Sequence, residues 1–183
     1  MLGPVIAGER VRLVPPAPEM LETFCRWFAD TEVTRYLGGL FPQSLESEKE
    51  WFTRIAKSET DVVWAALAVD GDAERLIGTT AIHQIDWQNR RAVTGNLIGE
   101  KSEWNKGYGS ETVRLRTRFA FEMLPLEKLE SETFANNAGS RRVLEKAGYQ
   151  TIGTKQRHIF RHGQWHDLWI CEVLKGDWLA ANL

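Results

Sequence analysis

Three strand-like segments stand close together between Val62 and Ile98, with only short turns between them. Val62 to Val69, Leu76 to Ile85 and Ala92 to Ile98 are joined by a Gly71-Asp72 turn and a turn around Asn89, so they read as an antiparallel meander. From Gly107 the order changes. A helix runs to Leu124, where Pro125 ends it; a strand covers Lys128 to Phe134; a second helix spans Ala138 to Ala147 and stops at Gly148. A meander that gives way to helix, strand and helix restricts the chain to an α+β fold on one mixed, mostly antiparallel sheet.

The flanks complete the count. Arg10 to Val14 alternates as a strand until Pro15-Pro16. Pro18 to Ala29 places Leu21, Phe24, Cys25 and Phe28 at the three-and-four spacing of an amphipathic helix. Another helix is expected over Ser44 to Ala56, where Ser44 caps and Glu46 and Glu48 meet the helix dipole. Tyr149 to Phe160 and Trp165 to Leu174 form a closing hairpin around Arg161-His162-Gly163-Gln164. The expectation is about seven strands flanked by about four helices. A chain of 183 residues with 43% hydrophobic content fills one core, so residues 1–183 read as a single domain.

Charge and cysteine usage exclude several classes. Lysine and arginine number 23 against 25 acidic residues, and a net charge of -2 gives no general field to hold nucleic acid. The N-terminus lacks the basic and apolar blocks of a secretory signal. The longest apolar run, Val62 to Val69, falls far short of the roughly 20 residues of a membrane helix. Cys25 and Cys171 lie far apart and indicate neither a disulfide framework nor a metal site; His158, His162, His166 and Asp167 near the final hairpin form no compelling ligand arrangement either. A reducing cytoplasm fits best, with no membrane partner.

The most informative segment is Trp104-Asn105-Lys106-Gly107-Tyr108-Gly109-Ser110, which joins the strand ending near Ile98 to the next helix. Glycines at 107 and 109 allow a ligand to approach the backbone, and the first-turn N–H groups have no intrahelical acceptors. An anion such as a diphosphate is the natural guest. A nucleoside-triphosphate loop requires Gly, four residues, then Gly-Lys-Ser/Thr, and no such string exists. A dinucleotide fingerprint requires a third glycine at position 112, which is Thr112. On the loop alone, a simple tight strand-to-helix turn remains an open reading.

Thirty residues beyond Gly107 comes Asn136-Asn137-Ala138-Gly139-Ser140-Arg141-Arg142-Val143-Leu144-Glu145-Lys146-Ala147-Gly148-Tyr149. The run from Thr94 to Tyr149 resembles the acetyl-CoA-binding half of GNAT acetyltransferases: a Gln/Arg-x-x-Gly-x-Gly/Ala loop, then Asn-x-x-Ser-x-x-Val-Leu-Glu-Lys-x-Gly-Phe/Tyr. Glu9 to Leu13 and Asp30 to Leu37 are similar to the openings of RimJ/RimL-like enzymes. That resemblance implies a cosubstrate, acetyl-CoA, and transfer of its acetyl group to a primary amine on a peptide N-terminus or a small molecule. Homodimers are common among similar proteins. By the same resemblance, backbone N–H groups of Lys106, Gly107, Tyr108, Gly109 and Ser110 bind the coenzyme diphosphate, in a loop that includes Trp104 and Asn105, with the Lys106 side chain as an extra cation. The pantetheine arm lies along Leu97, Ile98 and Gly99, where two parallel strands splay apart, and Asn137 bonds the same arm. Trp104 departs from the family's Gln or Arg.

Acetyl transfer needs a neutral amine, a polarised carbonyl and a proton for the leaving thiolate. A backbone N–H at Ile98 or Gly99 is the expected oxyanion donor. Many GNAT enzymes carry a tyrosine seven residues after the asparagine; here Leu144 stands there, which leaves Ser140 as the candidate acid. Many relatives have a glutamate before the glycine matching Gly95, whereas this chain has Val93-Thr94. His83, Asp86 and Glu100 are the candidate bases. Trp27, Tyr36, Trp51, Trp87 and Trp165 lie in or beside the acceptor-side segments, where ordinary packing competes with an aromatic wall for an ammonium. A noncatalytic acyl-CoA-binding sensor of the same fold is the second reading.

Overall fold

A computed structural model describes residues 1–39, 41–71 and 73–182. The strands are β1 (Ile6–Ala7), β2 (Val11–Val14), β3 (Val62–Asp70), β4 (Ala73–Asp86), β5 (Arg91–Ile98), β6 (Lys128–Phe134), β7 (Gln150–Arg161) and β8 (Gln164–Leu174). The helices are α1 (Leu21–Ala29), α2 (Leu45–Ala56), α3 (Tyr108–Met123), α4 (Ala138–Lys146) and α5 (Lys175–Asn182). One eight-stranded sheet holds them in the order β1-β2-β3-β4-β5-β6-β8-β7. The meander is present, although Asp72 of its first turn lies outside the described residues. Among the described residues, eight strands and five helices slightly exceed the seven and four expected. The additions are β1, whose two residues are too few to show a period, and α5, whose Gly176 weakens any helical signal. Packing holds α5 instead: buried Trp178 meets Phe121 at 5.7 Å between ring centroids.

Alternate residues of the central strands face opposite layers. Trp64, Ala66 and Ile82 point to a core shared with Val113, Leu115 and Phe121 of α3 and Leu144 of α4. Ala65 packs with Leu21, Phe24 and Trp27 of α1, while Val63 and Ala81 meet Ile55 of α2. β3 is therefore covered on both faces, which explains its near-continuous apolar run. The Ser44 side chain accepts from the Ser47 N–H at 3.1 Å and caps α2.

Among the named strands of the described residues, only one neighbouring pair is parallel. β5 and β6 pair at Arg91/Lys128, Ala92/Leu129 and Val93/Glu130, then separate. β5 continues along β4 to Ile98, and β6 continues along β8 to Phe134, so a gap opens between residues 94–98 and 131–134. Side chains close its base: the Thr94 hydroxyl donates to the Glu130 carbonyl, and the Ser131 hydroxyl to the Thr94 carbonyl, each at 3.1 Å.

Candidate active site

The gap leaves backbone groups of β5 without a strand partner. Gly99 N–H donates to the Ile77 carbonyl on β4 at 2.9 Å, so by alternation Asn96 and Ile98 turn their N–H groups toward the gap. This corrects one expectation. The Gly99 N–H is already used, and a side chain there would collide with the Trp27 ring, whose nearest atom lies 2.1 Å from the Cβ position. Ile98 keeps its N–H for the gap, while its carbonyl accepts from the Trp104 indole at 2.7 Å. Trp104 thus holds the end of β5 in place. Leu97 turns its side chain to the opposite face.

At the head of α3 the chain turns through two left-handed residues, Asn105 with φ +62° and Gly107 with φ +91°. Ser110 and Glu111 both donate to the Gly107 carbonyl, at 3.1 and 3.2 Å. The Ser110 N–H is therefore engaged, whereas those of Gly107, Tyr108 and Gly109 have no acceptor among the described residues, as donors in the first turn of a helix do. A Cβ on Gly109 would stand 3.6 Å from Ile98, 3.7 Å from Val143 and 3.9 Å from Asn96, at the edge of the gap. The half-exposed Lys106 ammonium meets the buried carboxylate of Glu103 at 3.2 Å. Arg10, not singled out from the sequence, stands beside the turn, with Nη1 3.9 Å from the Cβ position of Gly107. Its guanidinium donates to the Lys106 carbonyl at 3.0 Å and stacks 4.6 Å from the Tyr108 ring centroid. Glu111 fixes this arrangement, because one carboxylate oxygen accepts from the N–H groups of Glu9, Arg10 and Val11.

Asn137 has both ends of its amide engaged. The oxygen caps α4 through the Ser140 N–H at 3.2 Å, and the nitrogen donates to Thr133 on the splayed half of β6 at 3.1 Å. Ser140 lies one helical turn before Val143, on the side of α4 that meets α3. Leu144 is 4% exposed and belongs to the core, so a tyrosine at that position would not fit without repacking.

On the other face of the sheet, under α1 and α2, lies a cavity of about 240 Å³. His83, Ala81, Gly95 and Leu97 form its floor, and Phe24, Phe28, Glu48 and Trp51 close it from the helices. The imidazole Nδ1 of His83 lies 2.9 Å from Asp61 Oδ1, and its Nε2 stands 3.6 Å from the Cβ position of Gly95. Burial works to raise the Asp61 carboxyl, but hydrogen bonds from Ser58 and His83, that cation when protonated, and the Gln84 N–H outweigh it and hold it below the usual aspartate range. An ionised Asp61 makes Nδ1 the donor, which leaves the Nε2 lone pair free. The other two candidate bases are occupied elsewhere. Asp86 binds the backbone and side chain of Asn89 in the β4–β5 turn, and Glu100 caps the short helix Lys101–Glu103 through Ser102.

Of the aromatic residues singled out, Trp51 lines the cavity, with Phe24 and Phe28. Trp27 covers Gly99, Tyr36 packs on Phe134, Trp87 donates to the Glu59 carbonyl, and Trp165 pairs with Phe160. Sequence reasoning missed Asp61 and Glu48. Asp61 lies 22 residues from its histidine, and strand pairing alone brings them together.

The model of the family described as "Acetyltransferase (GNAT) domain" matches residues 10–150. The chain is 27% identical over 176 residues to "Uncharacterized N-acetyltransferase YoaA" of Bacillus subtilis, covering 94% of this chain and 97% of that protein. It is 32% identical over 114 residues to "Putative ribosomal N-acetyltransferase YdaF" of the same organism, covering 62% and 60%. Among solved structures, spermidine N-acetyltransferase from Vibrio cholerae in complex with CoA and spermine superposes with a TM-score of 0.86. That match covers 94% of this chain and 99% of the other at 16% identity, a likeness of fold.

Proposed function

This chain belongs to the GNAT acetyltransferase family, and from that premise we propose that it acetylates the primary amine of a small molecule by direct attack in a ternary complex. It is an acetyl-CoA-dependent N-acetyltransferase, and the coenzyme, when bound, supplies an acetyl group activated as a thioester. One observation carries the proposal. The first-turn donors of α3, which make an anion cradle, and the cavity lie on opposite faces of β5, beside the place where β5 leaves β6.

The N–H groups of Gly107, Tyr108 and Gly109 hold the diphosphate, helped by the dipole of α3 and by Arg10. Asn96 and Ile98 offer gap-facing backbone groups to the pantetheine amides, and the Ile98 N–H doubles as the oxyanion donor. On the cavity side, His83 Nε2 accepts the proton that the amine loses as its nitrogen bonds to the acetyl carbon. Asp61 orients the ring and stabilises the imidazolium, as the third member of a triad does. Ser140 supplies the proton to the departing sulfur. The small cavity favours a compact amine over a folded protein's terminus. The finer RimJ/RimL-like placement rests on the two opening motifs and the partial likeness to YdaF. A cytoplasmic setting accords with two free cysteines and with the lack of any helix, among the described residues, long and apolar enough to cross a membrane.

The test is thiol release from acetyl-CoA over a panel of small amines and short peptides, with coenzyme binding followed by calorimetry. Turnover on small amines above the hydrolytic background is expected. Tight coenzyme binding with no acceptor-dependent thiol release would favour the sensor reading instead.

A further inference from the structure

Glu48 is 5% exposed and its carboxylate has no hydrogen bond or ion pair among the described residues, its oxygens being left in contact with the open cavity. It lines the acceptor cavity beside Phe24, Phe28 and Trp51. A carboxylate turned into a half-enclosed cavity with no partner from the protein is disfavoured in its charged form, so a cation entering the cavity would be held there. The helix does not require it. Ser44 already caps α2 through Ser47, and the exposed Glu46 already meets the helix dipole in the same turn. Nor do the surroundings neutralise it, since no arginine or lysine lines the cavity and the other titratable lining group is His83. Burial pushes the Glu48 carboxyl up, and the nearby Cys25 thiol is raised by its own burial and then by the Glu48 charge. The cavity therefore combines one unsatisfied acid with aromatic faces, and both attract a cation.

We propose that Glu48 is the specificity-determining residue of the acceptor cavity, selecting amines that carry a second positive charge a short apolar spacer away from the nitrogen to be acetylated. This rests on the acetyl-transfer reading above. His83 rises from the sheet floor beside Gly95 and serves the reacting nitrogen, while Glu48 reaches in from the helical roof and holds the distal ammonium. The same carboxylate works against acceptors whose tail is anionic, so free amino acids are rejected by repulsion as well as by lost attraction.

Three probes of nearly equal length isolate that charge: 1,3-diaminopropane, propylamine and 3-aminopropanoate. With saturating acetyl-CoA, the wild type is expected to favour the diamine over propylamine by about tenfold or more in kcat/KM, mainly through KM, with 3-aminopropanoate the poorest. Glu48→Gln should bring the first two within about twofold and raise the third, while its melting temperature stays level or rises because an unpaired buried charge has gone. A wild type indifferent to the tail charge, or a ranking unchanged in Glu48→Gln, overturns the proposal. Calorimetry of the coenzyme-loaded protein with 1,3-diaminopropane reads the site without turnover. Glu48-dependent binding with no acetylation would sink the transfer reading and sustain this site, whereas binding that ignores Glu48 would sink this inference alone.

Discussion

The guanidinium of Arg116 donates to the carbonyl of Gly95 at 2.8 Å, reaching up from α3 to a residue just past the last β5–β6 pair. Arg116 is 0% exposed and forms no salt bridge among the described residues. Its other bonds run to the hydroxyls of Thr80 and Tyr149, and Tyr149 in turn meets Thr94 at the base of the gap. A buried cation thus ties β4, β5 and the start of β7 together where the sheet divides. Arg116→Met fills similar volume but leaves three acceptors without their donor. The expected result is a folded protein whose affinity for acetyl-CoA falls about fivefold to tenfold, the order lost with a charge-assisted hydrogen bond. Calorimetry beside a melting curve checks it, and unchanged affinity would show that the clamp does not set the gap.

How far such features could be read in advance depended on whether their cause was local. β6 matches its expected span of Lys128 to Phe134, because Pro125 and the following Asn-rich turn bound it from both ends. The turn into α3 was legible for the same reason: Gly107, at a left-handed position, reports backbone geometry directly. Glu48 was hidden by its own position, since an acid in a first turn already has an ordinary explanation. Arg116 is of the residue type least expected inside a helix's packed face, and the packing of α3 against β4 and β5 shows it turned inward. Asp61 with His83, and β8 inserted between β6 and β7, are products of strand order, which hydrophobic pattern does not encode.

His83→Gln removes the proposed base and should lower kcat by about 10²- to 10⁴-fold while leaving coenzyme binding intact. Asp61→Asn keeps the shape but no longer fixes the tautomer, so a smaller loss in kcat is expected. The wild-type rate should climb with pH on its acid side, because the base must be unprotonated, and that climb should vanish in His83→Gln. Stability carries a separate signature. The folded-state value of Asp61 is depressed, so its contribution is present above the unfolded aspartate value and disappears as pH falls through the folded one. Acid unfolding curves should therefore be shallower at the low end in Asp61→Asn. A histidine-independent pH profile would remove His83 from the chemistry.

The two glycines of the cradle should respond differently. At Gly107 a Cβ would meet nothing closer than Arg10 Nη1 at 3.9 Å, but φ of +91° strains any other residue. Gly107→Val should cost about 1–3 kcal/mol of stability and redirect the N–H groups, abolishing measurable coenzyme binding in a chain that still folds. Gly109 has no left-handed requirement, and its neighbours stand at ordinary contact distance, so Gly109→Ala should bind acetyl-CoA within about threefold of wild type. Arg10→Ala should weaken binding and reduce its salt dependence, as loss of a phosphate-facing cation does. Equal behaviour of the two glycine variants in calorimetry would count against the cradle.

Arg161 connects the closing hairpin to the wall of the cavity under α1 and α2. It is buried at the end of β7, and its guanidinium donates to the carbonyls of Leu37, Gly38 and Gly39 at 2.8, 3.0 and 3.1 Å. Leu37 lines the cavity, and two consecutive glycines give the segment little stiffness of its own. The fork of donors therefore supplies the rigidity that the backbone lacks. Arg161→Lys keeps the charge but offers one compact donor group in place of a planar array, and Arg161→Met offers none. Acceptor KM should rise about threefold in the first and about tenfold in the second, following one and then several lost charge-assisted bonds, while coenzyme affinity stays constant. Steady-state kinetics with varied amine at saturating acetyl-CoA reads this directly. A change confined to kcat, or a matching loss of coenzyme affinity, would mean that the hairpin supports the gap rather than the cavity wall.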